Sequence, residues 1–450
     1  MTELHKLGVA EAAKAIREGS ASPVALMEAL LSRAETMEPA LRMWVTLDPE
    51  AVLEQARERE CALGGAGDTG PLHGVPIGVK DIFYTEGTRT TACSPIYQDF
   101  VPDFDSTAVA RLKEAGAVMM GKTVTTEWAC MDPPPTRNPW NADHTPGGSS
   151  SGSAVGVATR IFPAALGSQT AGSILRPASY NGVVGLKPTF GLISRYGVFP
   201  AAWSLDTMGF FGRSVEDAAL LLSVLAGHDP RDFSSADVPP PDPVVGHAAS
   251  PPRIGIVGGF FDESASDEVR AHTTKVVERL KQAGAKVSRV TLPTNFDTLL
   301  AAHRVVMTVE LAAVHETDFG ERPDDFGPGV RAFIEAGVLT PAVNYVQAQR
   351  VRRRFRRDVE AAMEGVDVLL TPSTPTPAPK DLSSTGDPMF QTPWTTTGVP
   401  AITLPSGLSE SGLPLGVQLA SAPFAEEVLL TSARWCEKVL DVSLTPPSAA

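Results

Sequence analysis

The chain has 450 residues, of which 43% are hydrophobic, and carries a formal charge of −14. That length can bury a large core, and the acidity argues against unspecific binding to nucleic acid or anionic membranes. Four widely spaced cysteines, Cys61, Cys93, Cys130 and Cys436, form no Cys-x-x-Cys pair, which argues against a disulfide framework and a zinc site.

The opening MTELHKLGVAEAAKAIREGS alternates charge with alanine and has no apolar signal core. No apolar run reaches the ~18–20 residues of a membrane span, so a soluble, cytoplasmic protein is expected. Ser22-Pro23 predicts an N-cap followed by proline in the first turn of a helix through VALMEALLSRAETM. From residue 71, short apolar runs (VPIGV, AVMMG) alternate with helical patterns such as STAVARLKEAG, as in an α/β chain with buried strands. Residues 147–160, GGSSSGSAVGVATR, predict a Gly/Ser turn entering a helix of small residues that can pack close to a sheet. The proline-rich DVPPPDPVVGHAASPPR (237–253) leads to a strand signal, RIGIVGGFF, and then SDEVRAHTTKVVERLKQAGAKVSRVTL reads as helix followed by strand. Helical patterns fill roughly 296–363, and VDVLLTPSTPTP, GVPAITLP and LPLGVQLA predict strands. The organisation expected is one domain overall. An N-terminal helical segment, 1–65, packs on an α/β/α core, 66–450. The loop 237–252 and the last few residues are polar enough for disorder.

Several patterns imitate sites. Gly116–Thr123 fits G-x-x-x-x-G-K-[ST], but its AVMM interval wants to be a buried strand and VTT, not a helix, follows. Gly148–Gly152 fits G-x-S-x-G, but HTPGG stands where a nucleophile elbow needs a strand, which disfavours Ser150 as nucleophile. The run Arg350, Arg352, Arg353, Arg354, Arg356 and Arg357 reads as a solvated helix surface, spread over more than one face and pairing with nearby carboxylates, rather than an RNA site. His73, His144 and His228 stand near glycine or proline with no evident metal or triad partner.

Three segments remain. LHGVPIGVKD (72–81) ends an apolar run on Lys80. Burial there lowers the lysine's pKa toward the range of a base, although a surface lysine at a strand end fits the same letters. PGGSSSGS (146–153) and GSQTAGSILRP (167–177) are either tight turns or loops of bare N–H groups able to receive an oxyanion.

Together with TRNPWN (136–141), GSQTAGSILRPASYNGVVGLKPTFG (167–191), SLDTMG (204–209), GVPAITLPSG and GLPLGVQLA, these segments resemble the amidase signature family over nearly the whole chain. The resemblance implies that family's fold, a large mixed β-sheet covered by helices on both faces. It also implies Lys80 as base, Ser149 as bridging serine after a cis peptide bond, and Ser173 as nucleophile. Their spacing, 173 − 149 = 24, is the family's. The backbone N–H groups of Thr170, Ala171, Gly172 and Ser173 would form the oxyanion hole. No metal or cofactor is implied.

The nucleophile segment departs from the common Gly-Ser-Asp-Thr-Gly-Gly-Ser-Ile-Arg: Gln169, Ala171 and Leu175 replace Asp, Gly and Arg, and an arginine follows at Arg176. That arrangement is similar to a malonamidase-type branch, which implies a substrate carboxylate at Arg176; an internal acid paired with Arg176 is the other reading. Ser150 and Gln169 are further candidate substrate contacts. The short EWACMDPPP is expected to reshape one pocket wall. The function expected is an amidohydrolase acting through an acyl-enzyme on Ser173. Its partner would be a small-molecule amide, without nucleic acid or membrane, with a homodimer as the oligomer considered. The alternative is the glutaminase (A) subunit of a glutamyl-tRNA(Gln) amidotransferase-type complex, to which GLISRYGVFPAAWSLDT is similar.

Overall fold

The structure, a computed structural model, describes residues 3–63, 69–242 and 250–447. Part of the expected loop 237–252 and residues 448–450 therefore lie outside the described residues.

Ser22 caps its helix as the sequence predicts. Its hydroxyl accepts from the Ala25 N–H, Pro23 takes the first helical position, and the helix runs Pro23–Leu41. It outlasts the predicted end by a turn because Leu41 continues the buried stripe of Leu26, Leu30 and Met37. This helix and Val9–Arg17 share one core with the residues of the first sheet strands.

Eleven strands form a single sheet. In chain order they are β1 Trp44–Thr46, β2 Pro76–Lys80, β3 Val118–Thr123, β4 Ala164–Gln169, β5 Val184–Lys187, β6 Thr207–Gly212, β7 Arg253–Val257, β8 Lys286–Val290, β9 Val368–Pro372, β10 Ala401–Leu408 and β11 Pro414–Ala420. Their order across the sheet is β1-β3-β2-β4-β6-β5-β10-β11-β9-β7-β8. The sheet is mixed: β3, β2 and β4 run parallel, as do β9, β7 and β8, while the central strands pair antiparallel. Every residue of β2, β4, β5, β6, β9 and β11 is buried, so helices cover both faces, and these strands read as apolar runs rather than alternations.

The P-loop look-alike lies on β3, as its β-branched residues require. Its Lys122 is buried, bonds to Phe83 O and to Thr90 Oγ1 (2.8 Å), and stands 3.9 Å from Asp81. In RIGIVGGFF the strand stops at Val257. Gly259 turns the chain at φ 65°, and Phe260 and Phe261 open a short helix, sending the Phe261 ring into a second core with Phe390 and Trp394. The small-residue helix, Ser151–Ala158, is buried throughout. A Cβ at its Gly152 would stand 2.4 Å from Met43 O, so only glycine allows this approach.

Candidate active site

Parallel pairing brings the C-terminal ends of β2 and β4 together, the usual place for a site in such sheets. Lys80 closes β2 and Ser168 stands near the end of β4, and Lys80 Nζ lies 2.8 Å from Ser168 Oγ. The loop before the small-residue helix supplies the second partner: Ser149 Oγ is 2.7 Å from Lys80 Nζ. The Gly148–Ser149 peptide is cis, as expected. Lys80 is completely buried, and burial lowers its pKa to about 7 against the weaker opposing pull of Asp206 and Cys93. Near neutral pH a large share of Lys80 is therefore an uncharged amine.

The segment after β4 is ordered by Gln169. Its Oε1 accepts from the N–H groups of Ile174 (2.9 Å) and Leu175 (3.0 Å), and its Nε2 donates to Thr395 Oγ1 (2.9 Å). Those bonds tie down the entrance to helix Leu175–Asn181, while the N–H groups of Ala171, Gly172 and Ser173 meet no acceptor among the described residues. Asp206, just before β6, braces the same loop: it accepts from Thr170 Oγ1 (2.6 Å) and from the N–H groups of Ala201 and Ala202. Ser173 itself makes no hydrogen bond through its hydroxyl to another described residue and lines a cavity of about 390 Å³. Thr170, Ala171 and Arg176 line it too, as do Ala129, Cys130 and Met131 of the segment expected to form one wall.

Arg176 is buried. It donates to Gly148 O (2.8 Å), Gly386 O (2.6 Å) and Thr385 Oγ1 (2.9 Å), and its Nε is without a partner among the described residues. Its guanidinium thus ties the Ser149 loop and the Ser384–Gly386 loop to the helix that follows Ser173. No internal acid pairs with it among the described residues. Of the other expected contacts, Ser150 faces the backbone of Ser168 and Gln169 is fully buried with its amide engaged as above; neither lines the cavity.

Three contributors went unread in the sequence: Ser168, Asp206 and His303. The last lines the cavity with Leu300, Arg304 and Met307, a helical i, i+3, i+4, i+7 series that gave the available signal. Thr396 Oγ1 donates to Thr392 O, so it accepts from His303 Nδ1–H at 2.8 Å. The unpartnered Nε2 therefore carries the lone pair, and burial with nearby Arg352 holds the ring's pKa down at about 3. His73 and His144 hydrogen-bond to backbone carbonyls and His228 is exposed, all away from the cavity. No helix of the described residues is long and apolar enough to cross a membrane.

The Amidase family model matches residues 25–430. The chain is 38% identical over 470 residues to the A subunit of glutamyl-tRNA(Gln) amidotransferase from Geobacter sp. (strain M21), covering 96% of each. Among solved structures it resembles a chain of an inhibitor-bound vestigial protein complex that bears on the origins of an s-triazine catabolic enzyme (31% identity, TM-score 0.90, covering 97% of this chain and 99% of that one). It also resembles the peptide amidase of Stenotrophomonas maltophilia (30% identity, TM-score 0.86, covering 99% of both). The relatives correct one expectation. A lone small-molecule amide, with no nucleic acid as partner, does not describe proteins named as one subunit of an enzyme for glutamyl-tRNA(Gln).

Proposed function

The chain belongs to the amidase signature family, and we propose that it opens a carboxamide at Ser173 as the amide-cleaving subunit of an amidotransferase-type assembly. The observation that carries the chemistry is the buried Lys80–Ser149 contact of 2.7 Å, with the lysine's pKa near 7. The 38% identity to the A subunits of such amidotransferases over nearly the full length favours the assembly.

In this reading the neutral Lys80 donates its N–H to Ser168 and turns its lone pair to the Ser149 hydroxyl. Ser149 passes its proton to the lysine and takes the Ser173 proton as Ser173 Oγ attacks the amide carbonyl. The Ser149–Ser173 link forms when substrate fills the cavity, since catalytic hydrogen bonds tighten in the Michaelis complex. The oxyanion is received by the loop N–H groups of Thr170, Ala171, Gly172 and Ser173, and each such donor is worth roughly 3–4 kcal/mol in comparable sites. The proton returns through Ser149 to the leaving nitrogen, the C–N bond breaks, and ammonia departs. Water, activated along the same relay, then splits the ester on Ser173 to release the acid. Arg176 holds the Ser149 loop in place through Gly148 O, which supports a positioning role.

Two measurements test this. Labelling by a fluorophosphonate should disappear in Ser173→Ala; undiminished labelling removes Ser173 from the mechanism. Ammonia release from glutamine should be slow for the chain alone and rise when the other subunits of a relative's amidotransferase are added. Fast turnover of simple amides by the chain alone, indifferent to those subunits, would instead establish a free-standing amidase.

A further inference from the structure

The arginine run keeps its expected solvated surface but largely lacks its expected carboxylate partners. On helix Ala342–Ala362, Arg352 turns inward to Ser204 and to Thr396 O (2.7 Å), and Arg356 pairs with Glu360 at 3.0 Å. The other four, Arg350, Arg353, Arg354 and Arg357, follow the i, i+3, i+4, i+7 spacing and line one shallow groove. All four are exposed. None has a carboxylate within 4.0 Å among the described residues, and Arg350 donates to Gln347 Oε1 at 3.4 Å. So one arginine of the six meets a carboxylate, not the run as a whole.

Like charges at i, i+4 destabilise a helix, and this face holds two such pairs, Arg350–Arg354 and Arg353–Arg357. In a chain of net charge −14, four unpaired guanidiniums within about 10 Å of helix form a concentrated local exception. Guanidinium forks suit phosphate oxygens, and a row of fixed cations suits a regular polyanion better than scattered carboxylates.

We propose that this face of helix Ala342–Ala362 docks the phosphate backbone of a transfer RNA. The proposal rests on the amidotransferase reading for its choice of RNA. It stands apart from the cavity, because none of the four arginines lines it.

The test measures binding of a fluorescent glutamyl-tRNA(Gln) transcript to the full chain at several salt concentrations, beside Arg350→Gln/Arg354→Gln. Glutamine keeps helix propensity, and circular dichroism checks the fold. Wild type should bind, and the variant should bind several-fold more weakly with its log–log salt slope lower by about two. Ammonia release from the amide should match wild type. Equal affinities and slopes overturn the proposed surface while leaving tRNA as a partner elsewhere. No binding by wild type overturns it as well, and the independent amide assay then says whether the amidotransferase reading stands. Displacement by poly-glutamate at lower concentration than by tRNA overturns RNA in favour of an acidic protein.

Discussion

Lys80 sits between two hydroxyls, Ser149 and Ser168, with no carboxylate among the described residues in hydrogen-bond contact to keep it charged. In the proposed mechanism its pKa near 7 sets the pH behaviour of the reaction. Below 7 the amine is protonated and cannot accept from Ser149; above 7 it is free. The acylation rate should therefore rise tenfold per pH unit well below 7 and level off above it. A single-turnover profile on a chromogenic amide reads this, and a rate independent of pH between 5 and 8 would exclude a lysine base. The family resemblance singled out Lys80, Ser149 and Ser173, and the structure puts the first two in contact and the third on the cavity wall. The sequence held no hint of Ser168 as a lysine partner, because a serine at the end of a buried strand looks like any other small residue until the neighbouring strand's register is known.

At the level of elements, Gln169 shows how one residue couples strand, loop and helix. Its Oε1 replaces backbone acceptors for Ile174 and Leu175 at the mouth of helix Leu175–Asn181. Gln169→Ala orphans both N–H groups in a buried place, at about 1–3 kcal/mol each. The urea midpoint should fall, and kcat should fall further than the loss of fold alone explains, because Ser173 stands one residue before Ile174. Gln169→Glu, which keeps the acceptor, should recover part of both; recovery of neither would mean that the donor to Thr395 governs the loop. Sequence reasoning read Gln169 as a substrate contact because its neighbours were catalytic candidates, but proximity along the chain does not tell whether a side chain turns into the cavity or back into the core. Helix and strand positions were far more legible: the Ser22 cap and the β2, β3, β10 and β11 runs all carry local signals. The exception, Phe260 and Phe261, left their strand because a glycine at positive φ redirected two apolar residues into a different core.

Across the whole molecule, buried titratable groups set how stability depends on pH. Burial lowers Lys80 and Lys187 to about 7 and Lys122 to about 8, from 10.5. From about 7 upward the folded chain therefore binds fewer lysine protons than the unfolded one, and stability should rise with pH. Burial pushes the thiols of Cys93 and Cys436 up to about 12 from 9, and Cys130 in the same direction. Above 9 the unfolded chain loses those thiol protons first, which opposes the lysines. The urea midpoint should climb between pH 7 and 9 and then flatten. A midpoint that falls across that window would show that these lysines keep their charge in the folded state. The fold as a whole was legible because its covered strands are continuous apolar runs. The arginine face was not, since a run of six arginines does not announce which of them the neighbouring helices will claim.

The complete enclosure of Lys80 bears on how the protein would look to a chemist surveying it from outside. A lysine that is half unprotonated near neutrality would ordinarily react first with acylating or aldehyde probes, yet this amine is fully buried and is not part of the cavity lining. Reagents that map hot lysines across a proteome should pass it over, and inhibitors of this site are better sought among electrophiles shaped for the serine in front of it.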